Sequence, residues 1–339
     1  MTLLLAQQND LKTLEGGARL RRLQPRTGLD FSSNDYLGLA RAERLRGAVA
    51  AALARGVSIG SGGSRLLRGN DPEHEALEAE AAAFFGSEGM RLARAESVAT
   101  PHNDATAIDQ AITDWRRRGG TGRAWIAVES LYSMDGDRAP LADLAAVAAR
   151  HAAMLLIDEA HATGVFGPGG RGLAADLEGA ENVITLRTCG KALGCEGALL
   201  CGPRTMRDFL VNRGRAFIFS TAPSPLMASA VRESLRILAD EPERRDRLSA
   251  LTAFAERTLA PCGVTPTGSQ ILPLVIGEDA PTMQLAAALQ AAGFDIRGIR
   301  PPTVPPGTAR LRVSLTLNVG EAEIAALAET LLELRAREP

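Results

Sequence analysis

Four short apolar runs, separated by helix-sized segments, constrain the fold of this chain more than any other feature. The runs occupy 125–128, 154–157, 183–186 and 198–201, and alanine-rich stretches with a helical pattern alternate with them. Strands of a parallel sheet read as nearly continuous apolar runs, because helices bury both faces of the sheet. The sequence therefore predicts an α/β protein whose large domain holds a mostly parallel sheet flanked by helices.

The pattern changes after Pro223. Helical periodicity and one further apolar run then follow, with helices predicted at about 226–239, 243–259, 282–292 and from about 320, and a strand at 271–276. This order indicates a smaller C-terminal α+β domain. We predict an N-terminal segment (1–45), a large domain (46–235) and a small C-terminal domain (236–339).

Composition excludes several classes of function. With 339 residues, 45% hydrophobic and 23% charged, the chain is typical of a globular protein, and its net charge of -2 offers no basic field for nucleic acid. No apolar run reaches the ~18 residues of a membrane span, and the first ten residues lack the basic region of a signal peptide. The four cysteines have neither metal-ligand spacing nor disulfide density. We predict a cytoplasmic protein whose partners are small molecules and copies of itself, with no membrane partner.

Two segments indicate pyridoxal-phosphate (PLP) chemistry: MLLIDEAHATG (154–164) and TCGKALG (188–194). In the first, Asp158 ends an apolar strand and His161 follows it; in the second, Lys191 lies between glycines after the next strand. A lysine can form a Schiff base with PLP, and a buried carboxylate can keep the pyridine nitrogen protonated. We predict Lys191 as the covalent anchor and Asp158 as the partner of the ring nitrogen.

Each of these residues also has a structural interpretation. An acid after an apolar run can cap a strand or form a salt bridge, and a single lysine in a loop is commonly solvated. The order of strand, Asp158, His161, helix-sized spacer, strand and Lys191 favours the cofactor interpretation. Both motifs follow predicted parallel strands, and open α/β sheets bind ligands at the carboxyl ends of such strands.

Five further segments accompany these motifs in a fixed order. They are SSNDYLGLA (32–40), GSGGSRLLRGN (60–70), ESLYSMDGDRAPL (129–141), FSTAPSP (219–225) and RPPTVPPGTARLRVSLT (300–316). Any one of them could be structural, since glycine-rich loops usually mark turns. Together they resemble the α-oxoamine synthases, PLP enzymes of the aspartate aminotransferase fold (fold type I). The resemblance covers nearly the whole chain.

The resemblance implies a role for each matching residue near the cofactor. Lys191 would be both the anchor and the group that takes the α-proton of the amino acid, and His161 would lie near the phenolic oxygen of PLP. The other implied cofactor-binding residues are Asp158 at the ring nitrogen, Thr188 at the phosphate, Ser133 and Glu129 along the cofactor, and Ser220 and Thr221, which serve the phosphate from a neighbouring subunit. A homodimer with shared active sites follows.

The same resemblance implies substrates. Asn34, Arg300 and Arg312 would handle the substrate carboxylate, a task suited to the arginine fork, although Arg310 could replace Arg312. The implied reaction joins L-alanine to a pimeloyl thioester, carried by coenzyme A (CoA) or by acyl carrier protein, with loss of carbon dioxide. Sister enzymes that use glycine with acetyl or succinyl thioesters, or serine with a long acyl chain, remain the alternative.

The chain departs from the family in one place. Between Glu88 and Gly89, family members carry several tens of additional residues. These include a Ser-Gly-Tyr type turn that binds the cofactor phosphate and a His-Ala-Ser type histidine that stacks on the pyridine ring. Neither motif is present here, and none of the four histidines takes the stacking role by sequence position. The family pattern resumes at PHND (101–104).

Two explanations of this break stay open. Either the protein carries the segment and the sequence represents only an ordered part, or the chain truly lacks it. Loss of a strand and a helix from the middle of a large domain would expose core, which favours the first explanation. A form without the segment in place is expected to be free of PLP. A true loss instead predicts a non-catalytic homologue that binds a thioester or an acyl carrier.

Overall fold

The computed structural model describes residues 4–17, 19–21, 26–85 and 98–336. The chain forms two compact units. One comprises Met1–Tyr36, Ser133–Asp137 and Asp246–Pro339, and the other comprises Leu37–Tyr132 and Arg138–Arg245. The division of the sequence into domains 1–45, 46–235 and 236–339 stays a prediction. In the described part of the chain, no helix has the length and apolar character needed to cross a membrane.

The described helices are mostly two to four turns long. In chain order they are α1 (Leu5–Gly16), α2 (Glu43–Ala54), α3 (Pro72–Phe85), α4 (Ala105–Arg117), α5 (Leu141–Arg150), α6 (Arg204–Arg213), α7 (Arg215–Ile218), α8 (Pro225–Asp240), α9 (Glu243–Leu259), α10 (Asp279–Ala291) and α11 (Glu321–Ala336). Capping follows ordinary rules: the Asp104 carboxylate accepts from the Ala107 amide at the start of α4, and the Ser224 hydroxyl accepts from the Met227 amide at the start of α8.

The strands form three sheets. They are β1 (Leu29–Asp30), β2 (Trp125–Glu129), β3 (Met154–Asp158), β4 (Val183–Thr188), β5 (Ala198–Cys201), β6 (Ile271–Gly277), β7 (Phe294–Asp295), β8 (Arg297–Ile299) and β9 (Ala309–Ser314). The unit that contains Leu37–Tyr132 holds the sheet β2-β3-β4-β5, in which the first three strands are parallel and β5 is antiparallel to β4. The predicted, mostly parallel sheet is therefore confirmed.

The four apolar runs become strands because both faces of the sheet are covered. Leu155, Ile157 and Val183 are buried in one core cluster with Leu144 and Val147 of α5, the helix that connects β2 to β3. Strand β3 is apolar until its last residue, Asp158. The carboxyl end of this sheet is therefore the first place along β3 where a charged side chain appears.

The other unit holds the sheet β6-β9-β8, in which all neighbours are antiparallel, and the short parallel pair β1-β7. Helix α10 covers one face of the larger sheet: a Cβ built on Gly298 of β8 would lie 2.7 Å from the Met283 Sδ atom. The predicted small α+β arrangement at the C-terminus is confirmed in its elements, and α9 has the predicted bounds of 243–259.

Candidate active site

Polar side chains meet at the carboxyl ends of three adjacent strands. Glu129 of β2 lies opposite Asp158 of β3, which lies opposite Leu186 of β4. Residues in register on neighbouring strands share a face of the sheet, and Thr188, two residues beyond Leu186, returns to that face. The register therefore brings together three of the predicted cofactor residues, Glu129, Asp158 and Thr188, along one edge.

A tight turn after β3 positions His161. The Asp158 Oδ1 atom accepts from the Ala160 amide at 2.8 Å, and the Glu159 carbonyl accepts from the Thr163 amide at 2.8 Å. The aspartate side chain thus shapes the turn, a local hydrogen bond that favours turns over continued strand. One helical turn follows, and it directs the buried His161 imidazole toward the lysine loop.

Lys191 lies in a loop that closes after β4. The Lys191 carbonyl accepts from the Gly194 amide at 2.8 Å, and the Lys191 Nζ atom lies 2.6 Å from the His161 Nε2 atom. Gly194 has a φ of +63°, and a Cβ there would lie 2.5 Å from the Ala40 backbone nitrogen. Glycine is therefore required at this position, and the loop presents the partly buried lysine to the histidine.

The two motif loops also pack against each other. Gly164, at the end of the His161 turn, has a φ of +82°, and a Cβ there would lie 2.8 Å from the Ala192 Cβ atom beside Lys191. The missing side chain lets the loops approach closely. This contact fixes the separation between the histidine and lysine loops.

The Gly164→Ala substitution should move the lysine loop. The new methyl group meets Ala192 and the backbone is strained at positive φ, so we expect a loss of about 2–4 kcal/mol in unfolding free energy. Gly169→Ala is the matched control, because its φ is +63° and nothing lies within 4 Å of the new Cβ; it should lose only about 1–2 kcal/mol. Thermal unfolding of both variants measures the difference, and equal losses would show that the close approach is unimportant.

The opposite face of the same strand ends holds a buried ion cluster. Arg187 precedes Thr188 and is fully buried, with its guanidinium 3.6 Å from Glu159, bonded to Glu178 and lying 4.1 Å from the centre of the Phe85 ring. Burial raises the pKa of Glu159, and the positive charge of Arg187 opposes that rise. The cluster ties β3, β4 and the segment between them together directly behind the site.

This cluster corrects one sequence-based expectation. Asp158, expected to be buried, is only partly buried, and its neighbour Glu159 is the fully buried acid of the motif. The alternation of a strand end explains this, because consecutive residues face opposite sides. The sequence analysis missed Glu159, Glu178 and Arg187. An arginine within the otherwise apolar run VITLRT was the available signal, because a buried cation requires a buried acid.

In the other compact unit, Arg312 and Asn34 meet as predicted. The Arg312 Nη2 atom donates to Asn34 Oδ1 at 2.5 Å, and its Nη1 atom donates to the Ser133 carbonyl at 2.9 Å. The buried Tyr36 hydroxyl also donates to Asn34 Oδ1, at 3.0 Å. Within the described residues, no carboxylate pairs with Arg312. Its positive charge is therefore oriented by neutral acceptors only.

Arg310 has a different environment, which separates it from Arg312. It forms an ion pair with Asp135 and donates to the carbonyls of Thr308, at 3.0 Å, and Met134, at 3.3 Å. Its charge is thus neutralised within the protein. Of the two arginines on this face of β9, Arg312 is the better candidate for binding a carboxylate.

Arg300 lies apart from Arg312. Its guanidinium donates to the Leu20 carbonyl at 3.1 Å and contacts the Met283 Sδ atom at 3.0 Å. It is buried, and its Nε atom has no hydrogen-bond partner in the described structure. The structure therefore does not bring all three predicted carboxylate residues together.

Ser220 and Thr221 are exposed in the single chain. The backbone that follows them is anchored to the glycine-rich loop: the Ala222 amide donates to the Gly63 carbonyl at 2.9 Å, and the Ser61 hydroxyl donates to the Pro223 carbonyl at 2.5 Å. The structure does not place either residue beside the Lys191 loop of its own chain, and their role toward a second subunit stays a prediction.

The residues at the sheet edge fit PLP by their chemistry. Lys191 supplies a primary amine, Asp158 a carboxylate at a strand end, and Thr188 a hydroxyl whose oxygen accepts from the Gly190 amide at 3.3 Å. This is the donor set that such a cofactor requires at its aldehyde, ring nitrogen and phosphate. The predicted phosphate turn and stacking histidine would fall at the Glu88–Gly89 junction, which lies outside the described residues.

Comparison with known proteins defines the class of this fold. The family model for aminotransferase class I and II matches residues 87–331. A serine palmitoyltransferase of S. paucimobilis, solved with a PLP–myriocin aldimine, superposes with a TM-score of 0.84 at 23% identity and covers 99% of both chains. An 8-amino-7-oxononanoate synthase of Francisella tularensis gives a TM-score of 0.70 at 22% identity, covering 92% of this chain and 98% of that one. The fold is therefore that of the class I and II aminotransferases, as predicted.

Curated relatives narrow the class. An 8-amino-7-oxononanoate synthase of Anaeromyxobacter sp. (strain K) is 40% identical over 92% of this chain and 88% of that protein. One of Methylobacterium sp. (strain 4-46) is 39% identical over 95% of this chain and 90% of that protein. The chain belongs to the 8-amino-7-oxononanoate synthase family.

These relatives are longer than the part of the chain that they match. The first alignment extends over 356 positions, whereas 92% of 339 residues is about 312, so roughly forty positions of the relative have no counterpart here. Glu88 is followed directly by Gly89 in the full sequence. The explanation that we favoured from the sequence, a segment present in the protein but not represented, is therefore wrong, and the chain is shorter than its relatives.

Proposed function

We propose that the protein catalyses the PLP-dependent decarboxylative condensation of L-alanine with a pimeloyl thioester. The products are 8-amino-7-oxononanoate, carbon dioxide and the free thiol of CoA or acyl carrier protein, a step of biotin biosynthesis. Identity of about 40% with synthases of this name supports the reaction. The observation that carries it is the contact of 2.6 Å between Lys191 and His161 beside Asp158.

Lys191 would hold PLP covalently and later act on the bound amino acid. When bound, PLP supplies an electron sink that stabilises negative charge at the α-carbon of the amino acid. To take the α-proton, the Lys191 amine must be neutral, and the His161 nitrogen at 2.6 Å offers a place for a proton that the amine releases. His161 is buried, so its orientation toward the lysine is held by packing.

Asp158 and Thr188 would hold the two ends of the cofactor. Asp158 would accept from the protonated ring nitrogen and so keep it cationic. Thr188 would donate to the phosphate, as would Ser220 and Thr221 of a second subunit, because hydroxyl groups suit a dianion. Glu129 and Ser133 would line the cofactor. Asn34, Arg300 and Arg312 would bind substrate carboxylate groups, and Arg312 has the neutral partners that leave its charge available.

Turnover of L-alanine and pimeloyl-CoA, followed by release of CoA thiol and carbon dioxide, tests the proposal. Asp158→Asn should lower kcat by about 10²- to 10³-fold, because an amide cannot keep the ring nitrogen cationic, while PLP remains bound. The visible absorbance of bound PLP monitors retention of the cofactor. Turnover of the Asn variant at the wild-type rate would remove Asp158 from this role, and no product from the wild type would contradict the proposed reaction.

We also propose a cytoplasmic homodimer with shared active sites. Ser220 and Thr221 are exposed, and large apolar side chains near them in the anchored segments are exposed too: Ile59 by 72%, Leu67 by 85% and Phe219 by 72%. A second copy that covers this surface would bury these groups and supply both hydroxyls to the partner's site. Light scattering should give twice the mass of 35.7 kDa; a monomer at assay concentration would contradict the shared site.

The shorter chain favours a second candidate function. Roughly forty positions of the synthases have no counterpart here, so a homologue that binds thioesters or acyl carriers without catalysis is the alternative. The presence of Lys191, Asp158 and His161 in one site argues against it. Absorbance after addition of PLP separates the two, because only the enzyme should acquire the visible band.

A further inference from the structure

Arg300 is a buried cation without a carboxylate. Its side chain is 8% exposed, its nearest polar partners are the Leu20 carbonyl and the Met283 sulfur, and its Nε atom has no hydrogen-bond partner in the described residues. Burying an arginine in this way is costly unless an anion compensates it. A side chain kept in this state is better explained by a ligand than by stability of the fold.

Two further arginines surround it. Burial lowers the pKa of Arg300, and the positive charges of Arg21 and Arg19 lower it further, with Asp279 as the acid that opposes them. Asp279 already pairs with Arg19, at 2.8 Å. Three cations therefore share one described carboxylate, and the local charge favours an incoming anion.

Arg300 and Arg312 serve opposite faces of the sheet β6-β9-β8. Arg312 lies opposite Arg297 in the strand register, and its side chain contacts Asn34 and Ser133. Gly298, which alternates with Arg297, faces α10, and Arg300 contacts Met283 of that helix. A single carboxylate cannot bind both arginines across a sheet, so two separate carboxylate sites are indicated.

The proposed reaction supplies two carboxylates. One belongs to L-alanine and leaves as carbon dioxide; the other lies at the far end of the pimeloyl chain, beyond its methylene groups. Arg312, held by Asn34, suits the amino acid. Arg300 combines a desolvated guanidinium with the apolar Met283 and Leu20 side chains, an environment that suits the end of a methylene chain.

We propose that Arg300, supported by Arg19 and Arg21, binds the far carboxylate of the pimeloyl chain and selects dicarboxylic acyl thioesters over plain fatty acyl thioesters. This inference rests on the proposed function. Selection is strong because a site that leaves a buried polar group unpaired rejects the analogue without the matching group. Heptanoyl-CoA has the same chain length and lacks only the carboxylate, so it is the analogue to compare.

The test measures Michaelis constants for pimeloyl-CoA and L-alanine, and the Michaelis or inhibition constant for heptanoyl-CoA, in wild type and Arg300→Gln. We expect the constant for pimeloyl-CoA to rise about 10- to 100-fold, while those for heptanoyl-CoA and L-alanine stay unchanged. Arg300→Lys should give a smaller rise, because it keeps the charge and loses the fork.

Arg297→Gln is the matched control, since this arginine of β8 already pairs with Asp295 at 2.7 Å, and it should change none of the constants. An equal rise for both thioesters, or a rise for L-alanine alone, would overturn the inference and leave the proposed reaction intact. If the wild type binds PLP but forms no product from pimeloyl-CoA, the proposed function fails and this inference fails with it. Thermal unfolding of Arg300→Gln should match the wild type, and a lowered melting temperature would return Arg300 to a structural role.

Discussion

The Lys191→Ala variant should lose turnover of L-alanine and pimeloyl-CoA by at least about 10⁴-fold, because it removes both the covalent anchor of PLP and the proton acceptor. It should also fail to acquire the visible absorbance of bound PLP. His161 lies 2.6 Å from the amine in the wild type, and its imidazole cannot form the same covalent bond. The two readouts therefore fail together.

The sequence offers an unusually clean control for this prediction. Lys12 and Lys191 are the only lysines in the chain, so Lys12→Ala removes the other side-chain amine and should leave both readouts unchanged. Borohydride reduction in the presence of PLP should modify the peptide that contains Lys191 and leave that of Lys12 unmodified. Label on Lys12, or an absorbance band that survives in Lys191→Ala, would mean that PLP is held elsewhere.

Arg187→Met should produce the largest loss of stability, about 3–5 kcal/mol, because it leaves the buried Glu159 and Glu178 without their cation. Arg187 is fully buried, and its guanidinium also donates to the Arg171 carbonyl. Methionine fills much of the volume and supplies neither charge nor donors. Chemical denaturation, analysed as a linear function of denaturant, measures the change in unfolding free energy.

The control for Arg187 is an arginine whose partner is exposed. Arg207 pairs with Asp208 at 2.7 Å, with both side chains about half exposed, so Arg207→Met should change stability by less than about 1 kcal/mol. A combined Arg187→Met, Glu159→Gln, Glu178→Gln variant should recover part of the loss, since the uncompensated charges are gone. If Arg187→Met is as stable as Arg207→Met, the cluster does not hold the strand ends.

The parallel sheet could be predicted because its signal is local. Each of the four apolar runs became a strand, and the largest shift at a strand end is the extension of 183–186 to Thr188. The antiparallel direction of β5 could not be read from the same signal. A run of four apolar residues, 198–201, looks alike in either direction, and only the length of the connection from β4 distinguishes them.

The catalytic edge was also accessible from the sequence, but its depth was not. The spacing of Asp158, His161 and Lys191 indicated one site, and the contact between His161 and Lys191 agrees. Which acid of the pair Asp158 and Glu159 is buried depends on the face that each side chain takes at the end of β3. That choice is fixed by the partner strand and by Arg187, which lies 28 residues further along the chain.

The carboxylate residues show the same limit. Alternation along β9 places Arg310 and Arg312 on one face, which left them as equal candidates. Only the tertiary partners distinguish them: an aspartate neutralises Arg310, and Asn34 orients Arg312. Arg300 was grouped with Arg312 from resemblance, and the position of α10 separates them.

The back-to-back arrangement at the ends of β3 and β4 limits how this protein can evolve. On each strand, one residue faces the site and its immediate neighbour faces the ion cluster: Asp158 beside Glu159, and Thr188 beside Arg187. Inserting or deleting one residue within either strand would exchange the two, placing the site residue in the core and the core charge in the site. Length changes are therefore tolerated only in the connections, and the two strand ends must be inherited, grafted or redesigned as one unit.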